Sequence, residues 1–178
     1  VFSAAFPFFN NVDEQAHFDL VLKYGHGTWP QGLDKFSTET SRYLALYSTP
    51  EYFTNAPYWG GTFPTPNWKL PEAARENAEQ ARANWWQNQE NYESGEPPLY
   101  YMVAGLWLSL GHLLGINAGC ALYWIRFLNV FIGAALVWMV FRAAFWLFPA
   151  RPIIRIGLPA LLAVWPQSAF YSITSDVF

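Results

Sequence analysis

The sequence predicts an all-α integral membrane protein, on three observations. Charged residues make up only 13% of the 178, against about 25% in an ordinary soluble domain, while 53% are hydrophobic and 20% aromatic. Two runs, residues 97–125 and 156–175, carry no formal charge, and each is as long as the roughly 20 apolar residues that take a helix across a bilayer. The charges that do occur are segregated. Residues 1–98 hold 12 of the 13 acids and six of the ten bases, a net of −6, whereas residues 99–178 hold only Arg126, Arg142, Arg151, Arg155 and Asp176, a net of +3.

Taken in order, residues 1–9 form an apolar stub too short to span. The expectation is that they are the truncated end of a first transmembrane helix, and that the chain is an N-terminal part of a longer protein, inactive alone. Residues 10–98 read as a large extracytoplasmic loop, broken by Pro30, Pro50, Pro57, Pro64, Pro66 and Pro71. Within it, Pro71-Glu72 opens a helix near 71–92, with proline in the first turn and an acid at the positive end of the dipole. Ala74, Ala78, Ala81 and Trp85 recur at helical spacing, a stripe suited to lying on another surface. Glu72/Arg75 and Glu79/Arg82 can pair across solvent.

Three apolar segments follow, at 99–115, 121–148 and 156–175. Arg142, Arg151 and Arg155 bracket the connection between the last two, and the positive-inside rule places that connection in the cytoplasm. Residues 121–148 and 156–175 are then transmembrane helices. Parity leaves 99–115 as a juxtamembrane or re-entrant helix; the rival topology, with a full crossing, puts the arginine cluster on the same side as the long loop. The preferred reading gathers Asp13, Glu14, Glu96, Arg126 and Asp176 on one membrane face.

Composition argues against several classes. One cysteine, Cys120, cannot make a disulfide scaffold. The net acidity argues against a nucleic-acid binder, and the abundance of Trp, Phe and Leu against disorder. There is no glycine-rich phosphate loop, no Gly-x-Ser-x-Gly elbow and no Cys/His zinc spacing.

Four places can carry chemistry. In Asp13-Glu14-Gln15-Ala16-His17, adjacent carboxylates precede a histidine at helical spacing, as a general base or metal ligands require; the plainer reading is an acidic helix start beyond the bilayer. Glu96-Pro97-Pro98-Leu99-Tyr100-Tyr101 holds Glu96 extended at the membrane surface, or is simply a stiff helix entry. Arg126 either snorkels to headgroups or binds a phosphate with its planar fork. Asp176 is an acid at a membrane boundary. His26 and His112 have no partner pattern.

Together these stretches resemble the C-type fold (GT-C) superfamily of integral-membrane glycosyltransferases, nearest to a bacterial membrane family within it. The stretches are Pro7-Phe8-Phe9-Asn10-Asn11-Val12-Asp13-Glu14-Gln15-Ala16-His17-Phe18, Glu93-Ser94-Gly95-Glu96-Pro97-Pro98-Leu99-Tyr100-Tyr101, Arg126-Phe127-Leu128-Asn129-Val130-Phe131-Ile132-Gly133, Leu147-Phe148-Pro149, and Pro166-Gln167 running to Asp176. The resemblance implies GT-C-like helices with a large extracytoplasmic first loop. It implies a sugar moved, with inversion, from a polyprenyl-phosphate donor to a glycan, lipid or protein acceptor at the outer face of a bacterial cytoplasmic membrane. Asp13 and Glu14 are the catalytic candidates, and Arg126, Glu96, His17 and Asp176 the substrate-binding ones. A divalent metal, if used, would take Glu14, Glu96 or Asp176. Related enzymes carry a lysine beside the Pro-Pro pair where this chain has Gly95-Glu96, which sets metal use apart. Trp85, Trp86 and Tyr92 are sugar-stacking or interfacial residues. The alternatives are a transporter or a non-catalytic membrane partner, and no acid or base lies between Phe127 and Phe141 or between Ile156 and Ser175 to favour transport.

Overall fold

The computed structural model describes residues 2–9, 13–48, 60, 62, 65–164 and 172–175. Among these the chain is mostly helical: α1 (Phe2–Ala5), α2 (Glu14–Gly25), α3 (Thr38–Tyr47), α4 (Glu72–Gln87), α5 (Pro98–Leu113), α6 (Gly119–Leu147) and α7 (Pro152–Val164). Two short strands, β1 (Asp34–Lys35) and β2 (Glu90–Asn91), pair antiparallel.

Helix α2 lies at the centre, with polar as well as apolar side chains buried along it. Burying charge is tolerable only when every charge is paired and hydrogen-bonded, and here it is. Lys23 Nζ meets Asp19 Oδ2 at 2.7 Å, Asp34 Oδ2 at 2.9 Å and the Lys35 carbonyl at 2.6 Å. Asp19 in turn accepts from the Ser37 amide, Thr40 Oγ1 and Asn91 Nδ2. This node fastens α2 to β1, α3 and β2. Ser37 caps α3 by accepting from the Thr40 amide at 3.0 Å, which satisfies one of the otherwise unpaired first-turn donors.

Helix α4 packs on α3 but stops at Gln87, short of the expected end, because the chain turns there to enter β2, with the Phe36 amide donating to the Gln89 carbonyl. The expected stripe is not the face it uses. Ala74, Ala81 and Trp85 are exposed, Ala83 is buried, and Glu79 reaches Arg42 of α3 at 4.0 Å.

Helix α5 touches α2 backbone to backbone: a Cβ added at Gly105 would stand 2.6 Å from the Gly25 amide nitrogen. On its other side α5 meets α6 through Trp107 and Trp124, stacked at 4.2 Å and 1°. Each indole N–H donates to the other residue's carbonyl at 2.7 Å. Gly111 makes room for the pair, since a Cβ there would sit 2.5 Å from Trp124 Cδ1.

Among the described residues α6 is the one helix long and apolar enough to cross a membrane by length and composition. Helix α7 returns beside it. Arg155 lies over the Phe145 ring at 3.9 Å at one end, and Asn129 Nδ2 donates to the Ser172 carbonyl at 2.8 Å at the other. At roughly 1.5 Å per residue, α6 rises about 27 Å from Asn129 to Leu147. The segment expected at 156–175 begins as a helix four residues earlier, at Pro152, a residue pre-set for a first helical turn; residues 165–171 lie outside the described residues.

Candidate functional site

The site is built around a buried ion pair between Glu14, 0% exposed, and Arg126, 1% exposed. Arg126 Nε and Nη2 each meet one oxygen of Glu14 at 2.8 Å, a bidentate fork. The other lone pairs of the carboxylate accept from the Phe9 amide at 2.7 Å and the Ile173 amide at 3.0 Å. The remaining guanidinium N–H groups donate to the carbonyls of Phe6 (2.7 Å), Pro7 (2.9 Å) and Ser3 (3.4 Å). All five donors of an arginine are therefore engaged, and Phe8 covers the guanidinium at 4.6 Å. The arrangement leaves Arg126 no N–H for a phosphate; it ties residues 3–9, α2, α6 and the 172–175 segment together instead.

Asp13 stands next to this pair but faces away from it. It sits in the left-handed region at φ 68°, uncommon for a residue with a Cβ. Although it occupies the N-cap of α2, its side chain does not cap the helix; it accepts from the Tyr92 hydroxyl. Burial, the hydrogen bond to Asp13 and the charges of Asp13 and Glu93 push the Tyr92 hydroxyl above its ordinary value, so it remains a donor through the physiological range. Asp13 is thus a half-buried carboxylate at the helix N-terminus, where the dipole favours the anion.

Below it, His17 Nδ1 lies 2.8 Å from the Tyr101 hydroxyl and Nε2 lies 3.4 Å from Thr174 Oγ1. Tyr101 stacks on both His17 and Tyr24. Asn129, one turn beyond Arg126, accepts from the Tyr100 hydroxyl at 3.1 Å while donating to Ser172. Composition and spacing did not single out Tyr101, Asn129 or Thr174, and named Tyr92 only as a stacking or interfacial ring. The available signal was Asn129: a polar residue three positions after Arg126 in an otherwise apolar helix shares its face.

The structure brings Asp13, Glu14, His17 and Arg126 together. Glu96 is half-buried, at the step before α5, and makes no side-chain bond with any of these four among the described residues. Asp176 lies outside the described residues. A metal does not fit the donors described. Both oxygens of Glu14 are committed to four N–H groups, and among the described residues no three acids, histidines or cysteines gather closely enough to hold a cation. Beside the site, Asn129, Val130, Gly133, Ala134, Val137 and Ala163 line an apolar groove of about 390 Å³ between α6 and α7, held open by small side chains.

A family model described as predicted membrane protein (DUF2142) matches residues 1–176. No curated protein and no solved structure matches the chain.

Proposed function

The chain belongs to the DUF2142 family of predicted membrane proteins, and from its residues and their geometry we propose that it forms the outer-face site of a membrane glycosyltransferase, which moves a sugar from a polyprenyl-phosphate donor to an acceptor hydroxyl. The observation that carries the reading is the placement of Asp13. A carboxylate free of helix capping, bonded by the Tyr92 hydroxyl, directly precedes Glu14, whose clamp joins residues far apart in sequence at the second turn of the apolar helix α6.

Three features of the geometry support this reading. First, the rise of α6 beyond Asn129 is close to the roughly 30 Å of a bilayer's hydrocarbon core, and Arg142 and Arg155 sit at its far end, which the positive-inside rule makes cytoplasmic. Second, Tyr100 bonds Asn129 while Gly111 abuts Trp124, a step of roughly 16 Å along α5 against roughly 7 Å along α6. Helix α5 therefore leans across α6, and its exposed stripe of Leu99, Met102, Leu106, Leu110 and Leu113 suits a juxtamembrane position. Third, the groove between α6 and α7 starts at Asn129 and runs toward the membrane interior, where an isoprenoid tail can lie.

In this mechanism the Asp13 carboxylate takes the acceptor's hydroxyl proton. The acceptor oxygen attacks the anomeric carbon from the face opposite the phosphate. The bond from that carbon to the phosphate oxygen breaks, and polyprenyl phosphate leaves with the electron pair, giving inversion. Glu14 and Arg126 are positioning residues, which hold the turn before α2 and hence Asp13. His17 and Tyr101, buried and bonded to each other, pack behind Asp13 as supports of the α2 turn. The protein would lie in a bacterial cytoplasmic membrane with this site outward.

The test is Asp13→Asn in the full-length protein, assayed for transfer from a polyprenyl-phosphate sugar. Loss of a positioned base lowers turnover about 10²–10⁴-fold, with the unfolding midpoint unchanged. Transfer at the wild-type rate would remove Asp13 from the mechanism.

A further inference from the structure

The Glu14–Arg126 clamp holds the chain at Asp13 but makes no bond with the Asp13 carboxylate itself, and a side chain held only at its backbone turns among staggered rotamers. An N-cap aspartate ordinarily stands in the extended region, where its oxygen accepts from the first-turn N–H groups of its helix. At φ 68° Asp13 is left-handed instead, and its carboxylate makes no such bond. That backbone region is costly for a residue with a Cβ, and the missing cap forgoes stability as well. Both need a reason. The bond made in place of the cap is the one that the Tyr92 hydroxyl donates to Asp13 Oδ1. Among the described residues, nothing donates to Oδ2.

Tyr92 is 55% exposed, so burial does not hold it in place. Its neighbour does. Asn91 is fully buried, and its Nδ2 donates to the Ala16 carbonyl and to Asp19 Oδ2, both at 2.9 Å. Its Oδ1 accepts from the Glu93 amide at 3.0 Å, and its carbonyl accepts from the Ser94 hydroxyl at 2.6 Å. Strand pairing sets it opposite Asp34. Ala16 lies in the first turn of α2, the helix that Asp13 opens. The phenol and the carboxylate are thus fastened to the same helix turn from two directions, which fixes their meeting before any ligand arrives. Desolvation, with the bond and charge of Asp13, keeps the Tyr92 hydroxyl above its ordinary value and so a donor.

We propose that Tyr92 is a positioning residue, which holds Oδ1 of Asp13 and leaves Oδ2 as the oxygen that meets the acceptor hydroxyl. A phenol suits this task. It is a single neutral donor at the end of a rigid ring, so it fixes one oxygen without the bidentate ion pair with which an arginine would occupy both. The part falls to the hydroxyl of Tyr92, not to the face of its ring. The inference deepens the transferase reading, and rests on it for the reaction that the aimed carboxylate serves.

Two measurements on the full-length protein in lipid nanodiscs test the bond and its use separately. In the first, fluorotyrosine is placed at Tyr92 and titrated by fluorine NMR; its phenol is more acidic than that of tyrosine, so it ionises while the fold persists. Asp13→Asn is expected to lower the midpoint of that titration by about one pH unit or more, since an adjacent anion opposes ionisation of the phenol. An unmoved midpoint would overturn the proposal, because the hydroxyl would then not be bonded to Asp13. The second is a double-mutant cycle on transfer from a polyprenyl-phosphate sugar. Tyr92→Phe should lower kcat about 10–10²-fold, with the donor KM and the unfolding midpoint unchanged. In an Asp13→Asn background the same change should have no further effect. Equal slowing in both backgrounds would overturn the proposal, because Tyr92 would then act by a route other than Asp13. A wild-type kcat in Tyr92→Phe would overturn it too. No transfer by the wild type, with the titration shift present, would sink the transferase reading alone and leave Tyr92 as the residue that holds Asp13.

Discussion

Replacing Glu14 by glutamine separates two roles the Glu14–Arg126 pair can have, a simple ion pair or a hydrogen-bonding hub. The carboxylate accepts four bonds, two on each oxygen. A glutamine keeps one oxygen and turns the other into an NH₂ group, which then faces two N–H donors. Each unsatisfied buried donor costs about 1–3 kcal/mol, and the charge partner of a buried arginine is lost as well, a change that costs about 3–5 kcal/mol. The second figure already includes the stranded donors, so the expected loss is about 3–5 kcal/mol, close to that of Glu14→Ala. The double variant Glu14→Leu/Arg126→Met makes the distinction. Where a buried pair serves only itself, replacing both charges by apolar groups is often neutral or stabilising. Here it would strand the amides of Phe9 and Ile173 and take the donor from the Pro7 carbonyl, so no rescue is expected. Equilibrium unfolding of the full-length protein in mixed micelles, followed by tryptophan fluorescence, gives the free energies. A Glu14→Gln protein within about 1 kcal/mol of wild type, or a double variant restored to wild-type stability, would refute the hub.

Three further outcomes follow from the packing. Gly105→Ala drives a methyl into the backbone of Gly25, and Gly111→Ala drives one into a tryptophan pinned on both sides; each should cost about 1–3 kcal/mol by overpacking in the same unfolding assay, and a neutral Gly105→Ala would mean that α2 and α5 are not in backbone contact. Desolvation pushes the Asp34 carboxyl up, but the hydrogen bond and charge of Lys23 and the Lys35 amide outweigh it and hold the group below 3.8. A depressed carboxylate contributes stability that is present above its unfolded value and lost as pH falls through the folded one. Asp34→Asn should thus flatten the stability curve below about pH 4, by under about 1 kcal/mol because the side chain is partly solvent-screened. Finally, Gly115→Cys, in a Cys120→Ser background, should react with impermeant thiol reagents from the outside; labelling from the cytoplasm alone would make α5 a crossing helix.

What could be read from the chain beforehand divides by distance. The helical class, the long apolar helix around 121–148 and the importance of residues 13–17 and Arg126 come from composition, periodicity and local residue types, all visible in a short window. Partnerships are not. Glu14 and Arg126 looked like a base and a phosphate ligand because each residue type suits that task, and nothing local says that one will spend its bonds on the other across most of the chain. Helix α4 is the same lesson at smaller scale. Its alanine spacing pointed to one face, but the residue that packing buries is Ala83, and Glu79 is the one brought to Arg42 of α3. The burial of Asp19 and Lys23 was equally hidden, since an i,i+4 pair on an isolated helix faces water by default, and only β1, α3 and β2 close over it.

The two ionic nodes share α2, and that arrangement decides how the site is held. Glu14 at the first turn locks the helix to α6 and the 172–175 segment, while Asp19 and Lys23 lock its later turns to the outer loop. Each node is satisfied by its own partners, and the two sets share no residue. Asp13 precedes the first node by one residue and uses none of its bonds, so its carboxylate can engage a ligand without unpairing Glu14. That separation gives the variants distinct signatures. A substitution at Asp13 should alter chemistry and spare the fold, whereas one at Glu14 should loosen the turn that aims Asp13 and lose both together.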